Sequence, residues 1–244
     1  MTQFAYPDPL CALHGLFAVM AALDYRDRTG RGQYINQCQF EVTVAAIGEL
    51  VMDTLANGRE PAKLGNRSQY RAPQGCYPCR GEDCWVAISI SDDSAWARFC
   101  SVLARVDWAA DVRLASATTR IAHAVELDRG IEEWTRTREA YRVMEELQGA
   151  RIAAGVVQNT EDQLHRDPQL AARRFFEKIP HVKKGEVTAC GIPLGLTGTP
   201  GRTTRAGDAR GQENEYVFRE LLGQSADEYQ RYKELGAIET FEDP

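Results

Sequence analysis

Apolar positions are densest near the start of the chain, where the run 10–23, interrupted by His14 and Gly15, lies within a helix predicted over residues 9–25. A run that is apolar nearly all round predicts a helix enclosed by protein on most sides. Gly15, Ala18, Ala21 and Ala22 would let another backbone come close. Asp8 ahead of Pro9 reads as the N-cap of this helix, with proline at the first helical position. Thr29-Gly30-Arg31-Gly32 reads as its stop, Gly30 taking the left-handed conformation, and residues 33–40 as a short extended piece. Val44, Ile47, Val51 and Leu55 then share one face of a second helix over residues 41–56, stopped by Gly58.

From residue 59 to 75 the composition turns to Gly, Pro, Arg, Asn and Gln, which is loop chemistry and the first candidate domain boundary. Two strands follow, 76–79 and 84–90, joined by the turn Gly81-Glu82-Asp83. Asp92 is an N-cap for a helix that sets Trp96, Phe99, Cys100 and Leu103 on one face. Further helices are predicted over 120–134 and 138–148, and a strand over 152–157. Asn159 and Asp167-Pro168 are helix starts, the second opening residues 169–176. Residues 180–214 are rich in Gly and Pro and predict a strand-and-loop segment crossing between domains. Two small helices close the chain, the second opened by a capping box from Ser225 to Glu228 and ended at Gly236.

Composition adds boundaries to this picture. With 244 residues and 43% hydrophobic content the chain can bury a core. Its net charge of −6, with acidic and basic residues mixed along its length, supplies no basic face for nucleic acid or an anionic membrane. The longest apolar run is too short to span a bilayer. Seven cysteines in apolar segments suit reduced thiols better than a disulfide framework. Residues 1–4 carry no positive charge and no signal-peptide layout, so the expected location is the cytoplasm. The chain enters a central helix almost at once, with no leading strand, which suggests a truncated product or a subunit that takes its other half from elsewhere.

Candidate chemistry narrows to one carboxylate. Cys76-Tyr77-Pro78-Cys79 with Cys84 has the form of half a zinc site, but no second pair has matching spacing, so these are read as buried strand thiols and no metal is assigned. His14 on the apolar helix is read as a satisfied core histidine; six residues from Asp8, it falls on a different side of the helix and makes no acid/base pair with it. His123, His165 and His181 lie in polar surroundings and are read as surface residues. Gly30-Arg31-Gly32 follows a helix and precedes an extended piece, the wrong order for a phosphate loop. Ser89, Ser91 and Ser94 have no histidine beside them for hydrolase chemistry. Asp8 can be a cap, a nucleophile or a base.

Several pieces in order resemble a known family. They are Asp8 and its apolar helix, Thr29-Gly30-Arg31-Gly32-Gln33, Gly75-Cys76-Tyr77-Pro78 leading to Trp85-Val86-Ala87-Ile88, Gly155-Val156-Val157, Asp167-Pro168-Gln169-Leu170, and Gly191-Ile192-Pro193 with Thr199-Pro200. The set is similar to the class III CoA-transferases, a CaiB/BaiF-like family that includes formyl-CoA transferase and 2-methylacyl-CoA racemase. The resemblance runs along essentially the whole chain. It implies an α/β fold corresponding to the C-terminal portion of such an enzyme, without the N-terminal Rossmann-like half. Large-domain helices carrying the catalytic aspartate would occupy 1–60, a small α/β domain 61–185, and a segment returning to the large domain 186–244.

The same resemblance implies that Asp8 is catalytic. Its carboxylate would attack an acyl-CoA thioester, giving a mixed anhydride and then an aspartyl-CoA thioester from which a carboxylic acid takes the coenzyme A. Amide donors near the helix start would stabilise the oxyanions. Gly65, Asn66 and Gly75 are the implied substrate-binding residues, at the ends of the loop that corresponds to the family's active-site loop. Coenzyme A enters as substrate, with no permanently bound cofactor. The implied partner is a second copy in an interlocked homodimer, or a heteromeric chain supplying the CoA-binding half. Two other readings stay open: a 2-methylacyl-CoA racemase, in which the aspartate is half of a proton-exchanging pair, and a non-catalytic assembly subunit or truncated fragment.

Overall fold

Pro7 has its φ preset for a helix and no N–H to leave unpaired, and the first helix, α1, starts there and runs Pro7–Thr29 in the computed structural model, which describes residues 5–238. Tyr6 occupies the N-cap place with helical backbone and no side-chain cap bond, so Asp8 is the second helical residue and not the expected cap. The helix also outlasts its apolar run: Arg28 pairs with Asp24 one turn back at 3.0 Å, and Arg26 and Arg28 complement the negative end of the helix dipole. Gly30 closes it in the left-handed conformation (φ 71°), its N–H donating to Arg26 O at 2.7 Å. Residues 1–4, on which the location reading drew, lie outside the described residues, as does the end of the expected C-terminal segment, 239–244.

The chain divides into two units, 1–70 and 71–244. In the first, residues 31–38 run without regular structure and lead into α2 (Gln39–Ala46), which packs on α1, and α3 (Gly48–Asn57). The single helix expected over 41–56 is therefore two. The break falls at Ile47, where φ −111° and ψ 25° leave the helical region just before Gly48, the poorest helix former of the segment. α3 stops at Gly58, as expected, with φ 64°. The enclosure expected for α1 is not observed, since none of its residues is buried. Leu13 and Phe17 are 63% and 76% exposed, because the described part of this unit offers α1 only α2 and the 31–38 segment as packing surface.

The second unit is built on a three-stranded antiparallel sheet. β1 (Gln74–Pro78) and β2 (Trp85–Ser89) form the expected hairpin, in register from Gln74↔Ser89 to Pro78↔Trp85, and β3 (Ala153–Val156) pairs with the other edge of β2. Val86 and Ile88 point inward by the period of two. The core around them is completed by α4 (Asp93–Val102), α5 (Val106–Ala110), α7 (Ala124–Thr135) and α8 (Ala140–Gly149), with α6 (Ala117–Ala122) beside α7. Trp96, Phe99, Cys100 and Leu103 are all buried, as their spacing predicts. The helix expected over 120–134 breaks at His123 into α6 and α7, with Ser116 and Thr119 forming a capping box for α6.

Arg120, on α6, is fully buried. Its guanidinium donates to Ala72 O (2.8 Å), Leu114 O (3.0 Å) and Asp93 Oδ1 (2.8 Å), which satisfies a charge that would otherwise be prohibitive in a core.

Beyond the core come α9 (Thr160–His165), capped by Asn159, and α10 (Pro168–Ala172), capped by Asp167. The helix expected over 169–176 ends early because Arg174 turns to positive φ (50°) and Phe176 opens β4 (Phe176–His181), which pairs antiparallel with β5 (Gly185–Cys190). The capping box at Ser225 and Glu228 opens α11 (Ala226–Glu234) as expected. Among the described residues no helix is long and apolar enough to cross a membrane.

Candidate active site

Asp8 stands exposed on the first turn of α1. Its Oδ1 accepts a hydrogen bond of 2.5 Å from Nε2 of Gln39, the first residue of α2, which the extended backbone of Cys38 (φ −107°, ψ 123°) presents to it. Two residues earlier, Gln37 donates through Nε2 to Cys11 O (2.7 Å) and Cys11 Sγ (3.0 Å). Gln37 and Gln39 thus tie the end of the 31–38 segment and the start of α2 to the first two turns of α1. Gly15 allows this approach, since a Cβ there would stand 3.0 Å from Gln37 Oε1. Among the described residues Asp8 Oδ2 has no hydrogen-bond partner.

Among the described residues the expected backbone donors near the helix start are not there. Pro7 and Pro9 have no N–H, the N–H of Asp8 donates to Ala5 O at 3.1 Å, and that of Leu10 to Tyr6 O at 3.2 Å. The donor at the carboxylate is instead the Gln39 side chain. His14 is exposed and not a core histidine; its Nδ1 donates back to Leu10 O at 2.9 Å, which turns the ring along its own helix.

Gly65 takes φ 62° in a turn closed by Arg67 N–H to Leu64 O at 3.1 Å, with Asn66 beside it. Gly75 belongs to the second unit, on β1 opposite Ile88. A Cβ at Gly75 would stand 3.1 Å from the Tyr77 ring, so the glycine has a packing reason of its own. The structure therefore joins Asp8 to Gln39, a residue that sequence reasoning did not single out. The alternation of Gln37 and Gln39 in an extended segment was the available signal, but nothing in the spacing says which carboxylate a glutamine will meet.

Of the hairpin cysteines expected to be buried strand thiols, Cys76 lies on β1 but is only half-buried, Cys79 is buried just past the end of β1, and Cys84 is half-buried just before β2. Burial, with Cys84 nearby, pushes Cys79 up to about 11, and burial raises Cys76 as well. Among the described residues no cluster of three His, Cys, Asp or Glu side chains could hold a metal. A groove of about 770 Å³ lies in the second unit between the hairpin turn and α8, with Trp85, Tyr141 and Gln158 on its walls and the Arg80–Glu139 ion pair (2.8 Å) at its rim. None of the residues predicted for the site lines it.

The model of the CoA-transferase family III matches residues 1–214, and the chain belongs to that family. A probable CoA-transferase of Mycobacterium tuberculosis, Rv1866, is 32% identical over 227 residues, which cover 93% of this chain and 28% of that protein. The succinyl-CoA–D-citramalate CoA-transferase of Chloroflexus aurantiacus is 27% identical over 91% of this chain and 54% of its own length. The crystal structure of a CAIB/BAIF family protein from Brucella suis shares the fold with a TM-score of 0.75 at 23% identity, over 91% of this chain and 56% of that one. The chain thus spans about half, or less, of the length of these relatives.

Proposed function

We propose that the chain is the aspartate-bearing part of an enzyme that transfers coenzyme A between an acyl-CoA thioester and a carboxylic acid, with Asp8 as the nucleophile. The observation that carries this reading is the position of Asp8 within a chain matched to the family over residues 1–214: first turn of α1, exposed, one oxygen hydrogen-bonded and the other open. A carboxylate in that state can attack a thioester carbonyl, and the resulting anhydride is reactive enough to return coenzyme A as an aspartyl thioester. No resident cofactor is needed, because coenzyme A is itself the group transferred.

The domain layout we propose follows the family: helices of a large domain at 1–60, a small α/β domain at 61–185, and 186–244 returning to the large domain. Gly65, Asn66 and Gly75 are proposed as substrate-binding positions. The wholly unburied α1 supports a complete enzyme in which another chain, an identical interlocked copy or a different subunit, covers these helices and supplies the CoA-binding half. A cytoplasmic location accords with thioester substrates and seven free thiols.

Succinyl-CoA, the donor in the name of the Chloroflexus relative, is the first substrate to test. After incubation, hydroxylamine should leave a hydroxamate on Asp8 and borohydride an alcohol. Turnover without an adduct on Asp8 would contradict covalent transfer, and exchange of the alpha proton in deuterated water would then indicate racemase chemistry. Full activity in Asp8→Ala would defeat both.

A further inference from the structure

Pro7 and Pro9 strip the first turn of α1 of backbone donors, the remaining N–H of Asp8 is taken by Ala5 O, and Gln39 Nε2 sits 2.5 Å from Asp8 Oδ1. Oδ2 has no partner among the described residues. The two carboxylate oxygens are therefore not equivalent. Resting on the assignment of Asp8 as nucleophile, we infer that Gln39 is a catalytic donor that divides their labour: Oδ2 attacks, and Oδ1 stays on Asp8 as the oxyanion site.

The chemistry follows bond by bond. An Oδ2 electron pair attacks the thioester carbonyl carbon, the carbon–sulfur bond breaks and coenzyme A leaves as a thiolate. The thiolate then attacks Asp8 Cγ, the Cγ–Oδ2 bond breaks, and the donor acid departs as a carboxylate that carries Oδ2 away. The acceptor carboxylate attacks Cγ of the aspartyl thioester and expels the thiolate again. The thiolate finally attacks the acceptor's acyl carbon, forms the new acyl-CoA and frees Asp8 with one oxygen taken from the acceptor. In both attacks at Cγ negative charge develops on Oδ1, where a fixed amide N–H lowers the barrier most. If the Gln39 bond also prevents the carboxylate from flipping between turnovers, each incoming oxygen takes the Oδ2 place and leaves with the next donor, while Oδ1 is never exchanged.

That asymmetry can be weighed. The protein is given succinyl-CoA and an excess of succinate labelled with 18O on both carboxylates, and the peptide containing Asp8 is analysed by mass spectrometry after many turnovers. One labelled oxygen per Asp8 is expected in the native protein. In Gln39→Leu and Gln39→Glu, both of which remove the N–H at an exposed position, two labelled oxygens are expected, with the exchange rate lower by on the order of 10²-fold. Two labels in the native protein, or one label and an unchanged rate in both variants, would overturn the role of Gln39 while leaving Asp8 the nucleophile. No label on Asp8 in the native protein would instead remove the covalent reading on which the inference stands.

Discussion

Residues 5–70 carry three helices rich in apolar side chains and bury none of them, whereas the second unit sinks Phe99, Leu127, Ile131, Val143 and Leu147 to zero exposure. Hydrophobicity alone does not explain the difference. α4, α7 and α8 keep their apolar residues to one side, so each has a face to turn toward the sheet and another to leave in water. α1 has no such division, and one neighbouring helix cannot cover a surface that is apolar all round. The first unit carries the proposed nucleophile on a helix held by two glutamines, and the second holds a core with Arg120 buried in it. Function and stability should accordingly separate on mutation.

The widest separation is expected at Asp8. Asp8→Ala should lower CoA transfer by on the order of 10⁴-fold, as for loss of a nucleophilic or triad carboxylate, with the thermal unfolding midpoint unchanged because the side chain is exposed. A lowered midpoint together with retained transfer would reverse the roles assigned to the two units. Next in size is a matched pair of phenylalanines. Phe99→Ala should cost about 3–5 kcal/mol in urea unfolding, since it empties a fully buried site. Phe17→Ala, at 76% exposure, should stay within about 0.5 kcal/mol in this chain by itself. Equal costs would mean that α1 is covered in solution by association of the chain with itself, and that the difference in burial between the units does not carry over to stability.

Arg120 tests what holds the second unit together besides apolar contact. Arg120→Met keeps much of the side-chain volume but leaves the buried carbonyls of Ala72 and Leu114 without donors, and should cost about 3 kcal/mol. Arg120→Lys should recover less than half of that, because an ammonium cannot reach three acceptors in a planar fork while lying over the Trp96 ring, 5.1 Å away. Full recovery by lysine would show that charge alone, and not the fork, is what the site requires.

How much of this was legible depended on how local each determinant is. The hairpin, the Asp92, Asn159, Asp167 and Ser225 caps, the Gly30 and Gly58 stops and the inner face of α4 were legible because each is fixed within about one turn or one strand pair. The breaks at Ile47 and His123 were not, since apolar periodicity continues across both and only backbone angles record them. Arg120 opens the helix expected over 120–134; its burial depends on carbonyls at positions 72 and 114 that no local pattern brings near. For the site, the candidate aspartate was legible through resemblance, but its hydrogen-bond partner lies 31 residues away. The neighbouring prolines, which looked like helix-start signals, turned out to remove the backbone donors expected there.

The smallest expected effect concerns the two aspartates that sequence makes look alike. Asp8 caps nothing, while Asp92 accepts from Ala95 N–H at 2.8 Å, Ser94 Oγ at 2.7 Å and Ser91 Oγ at 2.8 Å. Those bonds, the Ala95 amide first, hold the Asp92 carboxyl well below the usual carboxylate range. Because the folded value lies below the unfolded one, this carboxylate stabilises the fold above about pH 4, and the contribution fades as pH falls toward the folded value. Asp92→Asn should therefore be less stable than the native protein at pH 7. The gap should narrow steadily below about pH 4, where the native side chain loses its advantage. Denaturant titrations of both proteins across that range give the comparison directly. A gap that stays constant to the acid end would mean that the α4 cap works as a neutral hydrogen-bond acceptor, and that the second unit's advantage over the uncapped start of α1 has no electrostatic part.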